Sequence, residues 1–252
     1  MKKARNRAPR EQDGQNDPSL LWVGLPRPLF QITRRCVPTS VRLRFRAAWH
    51  TAFLREPTRL MDLMRGIEGW LSDAEAFALY RVARACGAPI VGVEIGSWHG
   101  KSSVMIGGAM RDGGGGALYA IDPYEGAGGY SALKVVSQPA TDYLDRFQQN
   151  IAAAGLGEIV RPMRGYSYDI VKKWTTPTDL LFIDGDHDYG AVRRDFEDWS
   201  PHLKPGGITV FHDTNGQFPG PTRLVEEELR RPDWVSVRCV GSLTIARKAA
   251  SI

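Results

Sequence analysis

The stretch DLLFIDGDHDYGAVRRDFEDWSPHLKPGGITVFHD, residues 179–213, decides the fold. Its first apolar run, Leu180 to Ile183, is short enough for a strand and lacks the polar alternation of a half-exposed one. It stops at Asp184, and Asp186, His187 and Asp188 follow at once. Asp188 precedes AVRRDFEDWSPHL, where Ala191, Phe196 and Trp199 fall roughly on one side, the pattern of a helix with an Asp cap. GGITVFHD, residues 206–213, is a second apolar run ending in His212 and Asp213. A strand, a helix and a strand in that order form a βαβ unit, which requires parallel strands. Both strands deliver acids at their carboxyl ends. One acid could serve a turn, but the grouping suggests a place where charge is used.

The same alternation extends in both directions. Ser72 opens SDAE, a capping box in which Ser72 and Glu75 satisfy each other's amides. The helix it starts runs to Cys86 and stops at Gly87. IVGVEIG (90–96), ALYAID (117–122) and IVRPMRG (159–165) read as strands, while KSSVMIGGAM, TDYLDRFQQNIAAAG, YDIVKKW and TRLVEEELRR read as helices. WVSVRCV and SLTIARK flank Gly241 as two β segments meeting at a tight turn, which adds an antiparallel strand at one edge. The expected architecture is a doubly wound, mostly parallel α/β sheet with a basic N-terminal extension. Three segments are expected: a disordered basic tail over 1–19, a helical extension over 20–66 and the main domain over 67–252.

Composition limits the alternatives. The chain has 252 residues, 42% hydrophobic and 24% charged, enough to bury an ordinary core. No apolar run reaches the ~18–20 residues of a membrane span. Cys36, Cys86 and Cys239 are scattered without a CxxC pair, which argues against a disulfide scaffold or a cysteine zinc site and fits a reducing cytoplasm. The net charge of +5 is unevenly placed: residues 1–66 hold 14 Lys/Arg against 5 Asp/Glu. A solvated arm is the plainest reading. Nucleic acid or an anionic membrane face stays open as its partner. Phe45, Trp49 and Phe53 lie near the arginines at helical spacing, which fits a packing face rather than a base-stacking platform.

In a doubly wound sheet, ligands bind beyond the carboxyl ends of the strands. VEIGSWHGKSS occupies that position after the first strand. Gly96 and Gly100 permit tight turning, and Ser97, Ser102 and the amides of the next helix are donors. Asp122 ends the second strand, where a carboxylate can accept both hydroxyls of a ribose. A dinucleotide site carries GxGxxG; here the spacing is Glu-x-Gly-x-x-x-Gly, with Glu94 inside the strand. A carboxylate facing the ligand suits a cation. S-adenosylmethionine (SAM) carries a sulfonium, an ammonium and a ribose, with no phosphate, and so is favoured over NAD.

These residues resemble class I SAM-dependent methyltransferases. The motif VEIGSWHGKS and the string FIDGDHDYGAVRRDFEDWSPHLKPGGITVFHDT are similar to those of a group that includes metal-dependent sugar and natural-product O-methyltransferases and cephalosporin-hydroxylase-like proteins. The resemblance covers roughly residues 68–248. It implies a Rossmann-like sheet of seven strands with an antiparallel last strand. It further implies that Glu94, Gly96 and Asp122 hold SAM, that Gly165 to Ser167 border the adenine, and that Asp184 touches both cofactor and metal. Asp184, His212 and Asp213 take the positions of the divalent-metal ligands, with Mg²⁺ expected, and His212 departs from the usual carboxylate or amide. Asp186 takes the position of a base, with His187 as the other candidate. The expected reaction is methyl transfer to a hydroxyl of a sugar or small natural product. The alternatives are an inactive methyltransferase-like partner or scaffold, and an rRNA methyltransferase using the arm; a homo-oligomer is compatible with either. Tyr124, Trp98 and Tyr130 are candidate pocket aromatics, and residues 124–138 are expected to form a lid.

Overall fold

The computed structural model of the protein describes residues 57–125 and 143–250. The tail over 1–19, most of the extension, Tyr130 and most of the expected lid lie outside the described residues. The elements are α1 (Thr58–Arg65), α2 (Asp73–Ala85), β1 (Ile90–Ile95), α3 (Lys101–Gly113), β2 (Gly116–Asp122), α4 (Tyr143–Ala153), β3 (Val160–Arg164), α5 (Ser167–Ile170), β4 (Thr178–Ile183), α6 (Tyr189–Trp199), β5 (Leu203–Phe211), α7 (Pro219–Glu228), β6 (Trp234–Val240) and β7 (Leu243–Lys248). The strands form one sheet in the order β3-β2-β1-β4-β5-β7-β6. Strands β1 to β5 pair in parallel, and β7 runs antiparallel to both of its neighbours.

The antiparallel strand is not at the edge, as the hairpin reading placed it. β7 is inserted between β5 and β6, which leaves β6 outermost. The turn at Gly241 is as expected, with φ of +60°. The opposite edge is β3, whose Pro162 cannot donate to a ladder and is tolerated only at such a margin.

Period-two alternation divides the central strands between two cores. In β4, Leu180 and Phe182 face the layer that holds α1 to α4, while Leu181 and Ile183 face the layer of α6 and α7. Both sets are buried, which explains why the strand reads as an unbroken apolar run. Leu60, Met61 and Met64 of α1 are buried in the first core. Residues 58–65, assigned to the extension from sequence, therefore pack as part of the same body, and no break in packing falls at residue 67. The Ser72 capping box forms as expected, and Asp188 caps α6 by accepting from the amides of Gly190 and Ala191. Among the described residues, no helix is long and apolar enough to cross a membrane.

Candidate active site

The strand order reverses between β1 and β4, so the two loops leaving those strands diverge and open a crevice. A cavity of about 560 Å³ lies there. Its floor is fixed by backbone bonds just beyond the sheet. The Gly96 amide donates to Ile121 at 2.9 Å, the Asp184 amide to Ile95 at 2.9 Å, and the His212 amide to Ile183 at 3.0 Å. Asp184 and His212 therefore each sit one step past the last residue of a strand, held by a rigid ladder.

On one side, Gly96, Ser97, Asp122 and Ser167 line the cavity. Gly96 has φ of +85°, and a Cβ there would lie 2.0 Å from the Asp184 carbonyl oxygen, so only glycine fits between the two loops. The Asp122 carboxylate accepts from the amides of Trp98 at 2.9 Å and Tyr124 at 2.7 Å. Burial raises the pKa of its carboxyl. It remains able to accept from a ribose through its further lone pairs.

Glu94 does not face the cavity, which corrects the expectation that it meets a cationic ligand directly. It is wholly buried and accepts from the hydroxyls of Ser102 and Ser103 at the start of α3. Burial pushes its carboxyl up to about 7. Ser102 is thereby directed at Glu94 rather than at a ligand. Gly100, with φ of +85°, turns the chain into α3 beneath the cavity wall. These three residues shape the loop from behind.

On the opposite side, Asp184, Asp186, His187, His212 and Asp213 reach the cavity together. His212 Nδ1 lies 3.0 Å from Asp184 Oδ1 and 3.2 Å from Asp213 Oδ2. One ligand atom from each of these residues falls within 4.8 Å of the other two. Behind the ring, Glu75 Oε2 is 3.9 Å from His212 Nε2. Burial works against charge on His212, but the surrounding carboxylates outweigh it and push its pKa up to about 12. Burial also opposes the charge of Asp213, yet His187 and His212 bring it down to about 2. His187 Nε2 is 2.8 Å from Asp213 Oδ2, and its ring packs 4.0 Å from that of Phe218. Asp186 is exposed and accepts from the Asp188 amide at 3.0 Å, which makes it a turn residue on the cavity rim. Asp213 has φ of +58° and Trp98 φ of +47°. Left-handed backbone at non-glycine residues costs of order 1 kcal/mol or more and gathers at functional sites.

Four features lie beyond the motif reading. The linker between α1 and α2 walls the cavity with Glu68 and Trp70, and Lys101 Nζ pins it by donating to the Gly69 carbonyl at 3.1 Å. Glu75 has a second role behind His212. Buried Asp195 on α6 accepts from Ser167, and burial pushes its carboxyl up to about 6. Tyr166 and Tyr168 stack at the mouth, their centroids 5.2 Å apart. Of the aromatics expected in a pocket, Trp98 lines the cavity, while Tyr124 is core: 1% exposed, with its hydroxyl 2.9 Å from that of Ser97. His99 stacks on Tyr143 as a loop residue.

Comparison with known proteins agrees with this fold. A family model described as a methyltransferase domain matches residues 93–214, the span from β1 to just past β5. That span is just under half of the chain, and it is similar to a methyltransferase domain. The methyltransferase fold is shared with the O-methyltransferase TomG of Streptomyces achromogenes, solved with SAM, at 20% identity and a TM-score of 0.55, covering 77% of this chain and 89% of that one. It is shared also with an O-methyltransferase of Bacillus cereus, solved with S-adenosylhomocysteine (SAH), at 17% identity and a TM-score of 0.57, covering 80% and 96%. Two curated relatives match in short stretches. The uncharacterized protein y4gI of Sinorhizobium fredii is 53% identical over 36 residues, 14% of this chain and 4% of its own length. The uncharacterized protein R132 of Acanthamoeba polyphaga mimivirus is 39% identical over 62 residues, 23% of this chain and 28% of its own length.

Proposed function

We propose that the methyltransferase transfers the methyl group of SAM to a hydroxyl of a sugar or small natural product, aided by a divalent cation at Asp184, His212 and Asp213. The observation that carries this reading is the convergence of Asp122 and the His187–Asp213 pair on one cavity from opposite sides of the β1–β4 switch point. The cofactor is read in the Asp122 half, with Gly96 and Ser97 against its amino-acid portion and Ser167 beside the adenine. The acceptor is read in the other half, under Trp70 and Phe218.

Methyl transfer is an in-line displacement at carbon, so positioning matters most and can supply about 7–11 kcal/mol of the barrier. A sugar hydroxyl is a very weak acid, so its proton needs a destination. His187 is the favoured base: Asp213 Oδ2 stands at its Nε2 and stabilises the imidazolium as the acceptor oxygen attacks. Asp186, tied into the rim turn, is left a contact to substrate. The donor set fits a cation, because a buried imidazole closes no hydrogen bond of good geometry although two carboxylates approach its Nδ1. When bound there, a divalent cation lowers the pKa of a coordinated hydroxyl.

Calorimetry with SAM, SAH and NAD tests the cofactor. Binding of SAM and SAH without NAD is expected, and tight NAD binding alone overturns the assignment. A screen of hydroxylated acceptors then tests turnover. His187→Asn should lower kcat by roughly 10²–10⁴-fold with little change in SAM affinity. Unchanged turnover in Asp184→Asn and after chelation would remove the cation from the reading.

A further inference from the structure

We infer that the Asp184–His212–Asp213 centre selects a divalent transition ion such as Mn²⁺ or Co²⁺ over Mg²⁺ and Ca²⁺, with Glu75 as the positioning residue that dictates which nitrogen of His212 meets the ion. This inference rests on the proposed cation-assisted reading and goes beyond it in naming the class of ion and the residue that sets it.

The first ground is the ligand set. Mg²⁺ and Ca²⁺ are hard ions that prefer oxygen donors alone. Imidazole nitrogen favours later first-row ions, whose affinities rise from Mn²⁺ through Co²⁺. Two carboxylate oxygens and one imidazole nitrogen, mutually within 4.8 Å, form a compact three-ligand face of that mixed kind. The second ground is the state of His212. It is 5% exposed and aimed into the cluster, yet neither ring nitrogen closes a hydrogen bond. The carboxylates stand near Nδ1 in distance but off its N–H axis, which is the arrangement of ligands sharing a common centre. The third ground is Glu75. Its Oε2 sits 3.9 Å from Nε2, on the side of the ring away from Asp184 and Asp213. A carboxylate behind a histidine fixes the tautomer and leaves the other nitrogen to the metal.

Glu75 is itself clamped. Its carboxylate accepts from the Ser72 amide at 2.9 Å and hydroxyl at 2.7 Å, and from the Ser242 amide at 2.6 Å and hydroxyl at 2.8 Å. A side chain held on both oxygens cannot follow a ring that rotates, so it holds the ring still. The α2 capping box thus doubles as the outer support of the ion centre.

Titration of the full-length protein with Co²⁺, followed by its visible d–d bands, with Mg²⁺ as competitor in calorimetry, tests the inference. One Co²⁺ or Mn²⁺ per chain is expected to bind at least on the order of tenfold more tightly than Mg²⁺. His212→Asp should narrow or reverse that preference. Glu75→Gln should weaken Co²⁺ binding by about 10–100-fold and alter the d–d spectrum. Ser72→Ala, which removes one of the four bonds that clamp Glu75 but keeps its carboxylate, should alter the spectrum less than Glu75→Gln does. Mg²⁺ binding as tightly as Mn²⁺ and Co²⁺ would overturn the selectivity and leave the cation-assisted reading standing. Binding of SAM with no divalent ion at all would overturn both. An unchanged Co²⁺ spectrum in Glu75→Gln would remove the positioning role.

Discussion

Two residues show how tightly chemistry and stability are joined here. Gly96 sits where the loop from β1 to α3 crosses the end of β4, with a positive φ and no room for a Cβ. Gly96→Ala should cost several kcal/mol, read as a large loss of urea midpoint or as insolubility, because strain and clash fall on backbone that cannot retreat. Asp195 points the other way. Its folded carboxyl is pushed up to about 6, above the ordinary 3.8, so between those values the folded protein binds more protons than the unfolded chain. Stability from this group is present at low pH and is lost as pH rises through about 4 to 6. Asp195→Asn should therefore be more stable than the parent at pH 7, by at most about 3 kcal/mol, and should converge with it near pH 4. Urea unfolding at the two pH values decides the matter. Equal stabilities at pH 7 would show that Asp195 is charged without penalty.

At the level of elements, helix starts are the most legible features. Ser72 and Asp188 are caps by residue type and spacing, and both form as expected. Asp188→Ala should cost about 1 kcal/mol through α6 alone. Parallel native and Asp188→Ala melts under denaturant would expose a larger loss if Asp188 also served the active site. Strand membership was equally readable, since Leu180 to Ile183 feed two separate cores. Side-chain direction was not read with the same success. In β1, Val93 and Ile95 face the α6–α7 layer, so Glu94 between them must face α3. That alternation is present in IVGVEIG, but a carboxylate facing a ligand suits a cation, and that reading places Glu94 towards the ligand. Glu75 was beyond reach for a different reason. Its partner Ser242 lies 167 residues away, and no local pattern joins a helix cap to the far end of a sheet.

For the whole molecule, the topology alone places the cavity. A reversal between β1 and β4 needs a crevice at their carboxyl ends, and the strand pattern was sufficient to anticipate it. The antiparallel strand was foreseen, but its insertion between β5 and β6 depends on pairing choices that alternation cannot express. A ligand bound only by the folded state stabilises all of it. SAH at a hundred times its Kd should raise unfolding free energy by about 2.7 kcal/mol, and Asp122→Ala should abolish the increment. A thermal shift by SAH that survives in Asp122→Ala would place the ribose elsewhere.

The pinned linker of residues 66–71 has a consequence for how such a catalyst could diversify. It contributes Trp70 to the cavity wall, and it is held by the Lys101 clasp to Gly69, by buried Ile67 and by the packing of Trp70 on Trp98. Its exposed residues, Glu68 and Trp70, can be exchanged without disturbing the ladder that aims the acids and histidines. On the proposed reading, substrate preference and reactivity reside on separable pieces of chain, and a graft of this short segment from one homologue to another should carry the taste for an acceptor with it.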